Sequence, residues 1–120
     1  MEANRAAKVL IVDDDEEVRH VLTLMCEMEH YDVIGEASNA LEAVSIAMND
    51  EPDVVILDYL MPHVNGEGTA ILLRTICPDA RIVAFSAVLD SKPAWCDSYL
   101  NKARVSEIAP LLERLLVSAV

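Results

Sequence analysis

Asp53–Leu57 reads DVVIL and runs directly into Asp58. A short, continuous apolar run suits a strand buried on both faces, as in a parallel sheet, because a half-exposed strand would alternate. Lys8–Val12 (KVLIV) and Arg81–Phe85 (RIVAF) are runs of the same kind. Asp32–Ala37 (DVIGEA) reads as a further strand and Ser98–Asn101 (SYLN) as a short fifth.

Between these runs the apolar period lengthens. Val18, Val21, Leu22, Met25 and Met28 recur at three and four, with Glu16, Arg19, His20 and Glu27 between them. That is an amphipathic helix, with Asp14 and Glu17 spaced as a capping box. Asn39-Ala40-Leu41-Glu42 opens a second helix that runs through about Met48, short of Pro52. A loop with Pro62, Asn65 and Gly66 precedes a helix through Ile71, Leu72 and Ile76, which Pro78 ends. The last helix carries Val105, Ile108, Leu111, Leu112, Leu115 and Leu116 on one face, and Pro110 fits it only in the first turn. Strands spaced by helices imply βαβ units. The predicted fold is α/β, a five-stranded parallel sheet, doubly wound.

The 120 residues suit one domain, 1–120, without linker or repeat. A 53% hydrophobic content with 25% charged residues supplies a core and excludes intrinsic disorder. Aromatics are few, so that core is aliphatic. The net charge of -12 repels a phosphate backbone, which argues against nucleic-acid binding. Cys26, Cys77 and Cys96 are widely spaced, as in reduced thiols of a cytosolic protein. Neither a signal peptide nor an apolar run of membrane-spanning length is seen, so a cytoplasmic, membrane-free protein is expected.

The polar residues gather where strands end. Asp13 and Asp14 follow the first strand, Asp58 the third, Ser86 the fourth and Lys102 the fifth. Each has an ordinary explanation: a helix cap, a turn, a loop hydroxyl, a solvated charge. A parallel sheet places all these positions on one edge, where ligands bind, and the coincidence across four strand ends favours a site. Two carboxylates about 4 Å apart repel by roughly 4 kcal/mol at an effective dielectric near 20. A proton or a cation must relieve this, and a cluster of hard oxygens suits Mg²⁺. A carboxylate so placed can attack phosphorus and become an aspartyl-phosphate. Lys102 would offset charge on the transferring group, and Ser86 could donate to one of its oxygens.

Four motifs, IVDDD (Ile11–Asp15), VVILDYLMPHVNG (Val54–Gly66), IVAFSA (Ile82–Ala87) and YLNK (Tyr99–Lys102), occur in order. With them the chain resembles the receiver domain of two-component response regulators along essentially its whole length. The resemblance implies that Asp58 is the phosphoacceptor and that Asp13, Asp14, Asp58 and the main-chain carbonyl of Leu60 hold Mg²⁺. It also implies that Ser86, Ala87 and Lys102 contact the phosphoryl group and that Ser86 and Tyr99 form the switch. The partners implied are a sensor histidine kinase or phosphotransfer protein and a downstream protein or output domain, with homodimerisation also open.

Two departures from the family pattern stand out. Ala103 follows the lysine where the family usually has proline. Ser86 and Lys102 stand 16 positions apart (86 to 102), roughly six fewer than usual, which is over one and a half helical turns. A shortened or missing fourth helix is therefore expected, with a loop or single turn over Val88–Asp97, where Trp95 either contacts a partner or covers core left bare, the cover being favoured. The family's use of that helix for output or dimerisation is then in doubt. Leu60 and Val88, both apolar, flank the acceptor and cannot orient an attacking water, which predicts slow self-dephosphorylation. Leu60 also stands where an aspartyl-phosphate phosphohydrolase would carry its general acid, so a multiple-turnover enzyme is disfavoured. A degenerate receiver acting as a phosphorylation-independent interaction module is the alternative.

Overall fold

The computed structural model describes residues 5–61, 64–88 and 90–117. Pro62 of the loop after Asp58 and Leu89 of the expected loop lie outside them, as do the first four and last three residues. The elements are β1 (Lys8–Val12), α1 (Glu16–Met28), β2 (Asp32–Ala37), α2 (Ala40–Asn49), β3 (Val54–Leu57), α3 (Gly66–Ile76), β4 (Arg81–Ser86), β5 (Ser98–Asn101) and α4 (Ile108–Val117). A 3-10 segment, Lys102–Glu107, leads into α4. All five strands pair in parallel in the order β2-β1-β3-β4-β5.

Successive strand residues face opposite sides, and helices cover both. Leu10, Val12, Val55, Leu57, Ile82 and Ala84 pack with α2 and α3. Val9, Ile11, Val54, Ile56, Val83 and Phe85 pack with α1 and α4. This two-sided burial is why β1, β3 and β4 read as unbroken apolar runs.

The fourth helix is missing, as expected: among the described residues no helix lies between β4 and β5, only an irregular segment with one turn. Trp95 there is half-buried against the α2–α3 side of the core, as expected of a cover. Pro110 is the third residue of α4, inside the first turn, where its missing N–H costs no helical hydrogen bond.

Three local expectations are corrected. Asp14 does not cap α1; Asp15 does, accepting from Glu17 N at 2.9 Å. Asp15 N itself donates to Asp13 Oδ1 at 2.9 Å, a turn that carries the chain off β1 one residue further before the helix starts. Ser86 is the last residue of β4 rather than the one after it, and β3 begins at Val54 rather than Asp53. α3 runs through Ile71, Leu72 and Ile76 as expected; its buried residues are Gly66, Thr69, Ala70 and Leu73, and Ile71 and Leu72 are exposed.

At the end of α1, His30 N donates to Glu27 O and Tyr31 N to Cys26 O, both at 3.0 Å. This closing pattern requires a left-handed residue at position 30, and His30 has φ 65°. Glycine adopts that conformation without a Cβ clash. His30→Gly should therefore raise the unfolding free energy by about 0.5–1 kcal/mol in urea denaturation. A loss of stability would show that the exposed imidazole contributes more than its backbone strain costs.

Candidate functional site

The strand ladders extend one bond past the strands and so fix the backbone of two aspartates. Asp58 N donates to Val12 O at 2.9 Å, and Asp13 N to Ala37 O at 3.0 Å. Both side chains are buried, at 1% exposure for Asp13 and 4% for Asp58, whereas Asp14 is exposed. One carboxylate oxygen from each of Asp13, Asp14 and Asp58 lies within 4.8 Å of the others.

Lys102, the first residue after β5, reaches across to this cluster. Its Nζ lies 2.7 Å from Asp13 Oδ2 and 3.5 Å from Asp58 Oδ2, and 6.0 Å from the centre of the Phe85 ring. One ammonium thus faces two buried carboxylates. Asp13 Oδ2 accepts no well-aligned hydrogen bond and is compensated by ion pairing. Burial pushes the Asp58 carboxyl up to about 6, the Asp13 charge adds to the rise, and Lys102 opposes it. The two carboxylates in turn raise the Lys102 ammonium against the effect of its burial.

Ser86 is buried at the end of β4, and its Oγ accepts from Val88 N at 3.3 Å, leaving its proton available to donate. Ala87 follows it, exposed. Leu60 N donates to Asp58 Oδ1 at a long 3.3 Å, closing the turn after β3. Tyr99 is half-buried against the core, and its hydroxyl donates to Asp90 O at 3.1 Å.

Arg19 escaped the sequence reading, because a polar residue on an amphipathic helix looks solvated. Its guanidinium donates to Asp13 O at 2.7 Å and pairs with Glu36 at 3.4 Å. It thereby braces the strand end that carries the acidic pair, and no spacing signal in the sequence marks it.

The family model described as response regulator receiver domain matches residues 9–95. The chain belongs to the response regulator receiver family. Receiver domains are signalling modules of two-component systems rather than multiple-turnover enzymes, and they bind Mg²⁺ at an acidic aspartate cluster. The chain is 35% identical over 112 residues to the transcriptional regulatory protein PdtaR of Mycobacterium tuberculosis, covering 88% of this chain and 55% of that one. It is 38% identical over 81 residues to the chemotaxis protein CheY of Thermotoga maritima, covering 68% of each. Among solved structures, the response regulator TrrA from Thermotoga maritima, in complex with Mg²⁺-BeF, aligns with a TM-score of 0.80 at 28% identity. That alignment covers 91% of this chain and 98% of TrrA. The receiver thus spans about half the length of PdtaR. No helix among the described residues is long and apolar enough to cross a membrane.

The Asp58 shift fixes the sign of a stability effect in the metal-free receiver. A carboxyl whose folded value lies near 6 and whose unfolded value is 3.8 binds its proton more tightly when folded. Ionisation therefore destabilises the fold; the penalty grows from about pH 4 to about pH 6 and is constant above. Asp58→Asn removes it, and with chelator present the variant should be more stable than the native chain by about 2–3 kcal/mol at pH 7.5. Thermal and urea denaturation across pH 4–8 should show the gain shrinking toward pH 4. A gain that does not vary with pH would refute the shift.

Proposed function

We propose that residues 1–120 form one cytoplasmic receiver domain in which Asp58 accepts a phosphoryl group from a sensor histidine kinase or phosphotransfer protein. The observation that carries this reading is three carboxylates within 4.8 Å of one another, beside one ammonium, at one edge of the sheet. An Asp58 oxygen attacks phosphorus; the O–P bond forms, the P–N bond to the donor imidazole breaks, and that imidazole leaves with the electron pair and takes up a proton. Lys102 offsets charge on the moving group, and the Ser86 hydroxyl and the main chain at Ala87 meet its oxygens.

The donor set fits Mg²⁺: hard oxygens, one of them buried and without a well-aligned hydrogen bond. Asp13, Asp14, Asp58 and the Leu60 carbonyl would hold the ion, which when bound neutralises the clustered charge and that of the phosphoryl group. The Mg²⁺-BeF complex of TrrA supports this assignment.

Ser86 drawn toward the phosphoryl group would leave space into which Tyr99 moves, releasing its bond to Asp90 and altering the surface presented to a partner. With no helix among the described residues between β4 and β5, that surface is the irregular segment itself. An output domain beyond these residues, a separate protein or a second copy would read it. PdtaR, about twice as long, is named a transcriptional regulator, which favours an output outside this chain.

Incubation with acetyl phosphate and Mg²⁺ should add one phosphoryl mass to the intact chain. The adduct should vanish with chelator and in Asp58→Asn. It should decay slowly, because Leu60 and Val88, exposed at 53% and 55%, present only hydrocarbon beside the acceptor. No adduct on a folded chain that binds Mg²⁺ would replace this reading with that of a phosphorylation-independent interaction module.

A further inference from the structure

Trp95, the single tryptophan, sits in the irregular segment between β4 and β5, yet its indole reaches the residue next to Asp58. It stacks on Tyr59 with ring centroids 6.1 Å apart and planes 14° from parallel. Gly66, at the start of α3, closes the same turn from another side. A Cβ on Gly66 would lie 2.7 Å from Tyr59 Cα, 2.8 Å from Asp58 O and 3.3 Å from Trp95 Cη2, so only glycine fits. Gly66 N also donates to Tyr59 O at 2.8 Å.

The segment that carries the indole is itself fixed. Arg74 of α3 donates to Trp95 O at 3.4 Å and to Asp97 Oδ2 at 2.9 Å. Asp97 joins the sheet, accepting from Ile82 N at 2.7 Å and donating its own N–H to Ile82 O at 2.8 Å. Lys92 donates to Cys96 O at 3.0 Å, and Cys96 is buried in the core beside Trp95.

The turn after β3 needs such support. The buried Asp58 carboxylate lies within 4.8 Å of that of Asp13 and receives a long hydrogen bond of 3.3 Å from Leu60 N. We propose that Trp95 is a positioning residue for Asp58, clamping the Asp58–Leu60 turn by stacking on Tyr59 from the segment where the family's helix is missing. The flat face of the indole, rather than its bulk, then sets where the Asp58 carboxylate and the Leu60 carbonyl point. Misplacing a reacting group by about 1 Å can cost a factor on the order of 10² in rate. This inference rests on the reading of Asp58 as acceptor.

Three variants separate the clamp from a mere cover. Trp95→Leu keeps apolar cover without a flat face, Trp95→Phe keeps an aromatic plate, and Tyr59→Leu removes the stack from the other side. Circular dichroism checks folding, calorimetry measures Mg²⁺ affinity, and intact mass follows phosphorylation by acetyl phosphate at saturating Mg²⁺. Trp95→Leu and Tyr59→Leu should each phosphorylate roughly ten- to a hundredfold more slowly and bind Mg²⁺ several-fold more weakly, while Trp95→Phe stays within about threefold of native. Folded Leu variants with native rate and native Mg²⁺ affinity would overturn the clamp and leave Trp95 as core cover. Equal losses in Trp95→Phe and Trp95→Leu would overturn it as well. If the native chain takes no phosphoryl group, the acceptor reading fails by itself, and the Mg²⁺ affinities still decide whether the stack positions the turn.

Discussion

Asp13 and Asp58 leave adjacent strands side by side, both buried, with the Lys102 ammonium facing them. Two negative charges against one positive leave an excess that the fold must carry. Burial raises the Asp58 carboxyl and the Asp13 charge adds to the rise, so ionising the site costs stability. A metal cation is the kind of ligand that such an imbalance selects. The destabilisation is therefore part of what equips the edge for chemistry.

Holding like charges together requires stiffness, and each support has a separate source. The β1–β3 ladder fixes the two backbones through Asp58 N to Val12 O. Arg19 ties the Asp13 carbonyl to α1. Gly66 and Trp95 close the turn that follows β3, one from α3 and one from the segment between β4 and β5.

β1, β3 and β4 were legible because they are buried on both faces and read as unbroken apolar runs; β1, β2 and β5 have the predicted bounds. The missing helix was legible as a shortage of residues between Ser86 and Lys102. Parallel pairing then brings Asp13, Asp14, Asp58, Ser86 and Lys102 to one edge, as their shared position at strand ends implies. Other features left no local trace. The cap moved from Asp14 to Asp15 because Asp13 captures the next amide but one, a choice between neighbouring aspartates that spacing cannot make. The partner of Trp95 is Tyr59, a contact made across two loops that no periodicity reports. Ile71 and Leu72 show the reverse case, apolar side chains that point outward on α3.

The repulsion between Asp13 and Asp58 can be read directly by carbon-detected NMR titration of the Asp58 carboxyl in the metal-free chain, repeated in Asp13→Asn and then with Mg²⁺. The expected midpoint in the native chain is about 6, lower in Asp13→Asn and lower again in the native chain once Mg²⁺ is added. A carboxyl that titrates in the ordinary range and responds neither to Asp13→Asn nor to Mg²⁺ would contradict the coupled acidic pair on which the site is built.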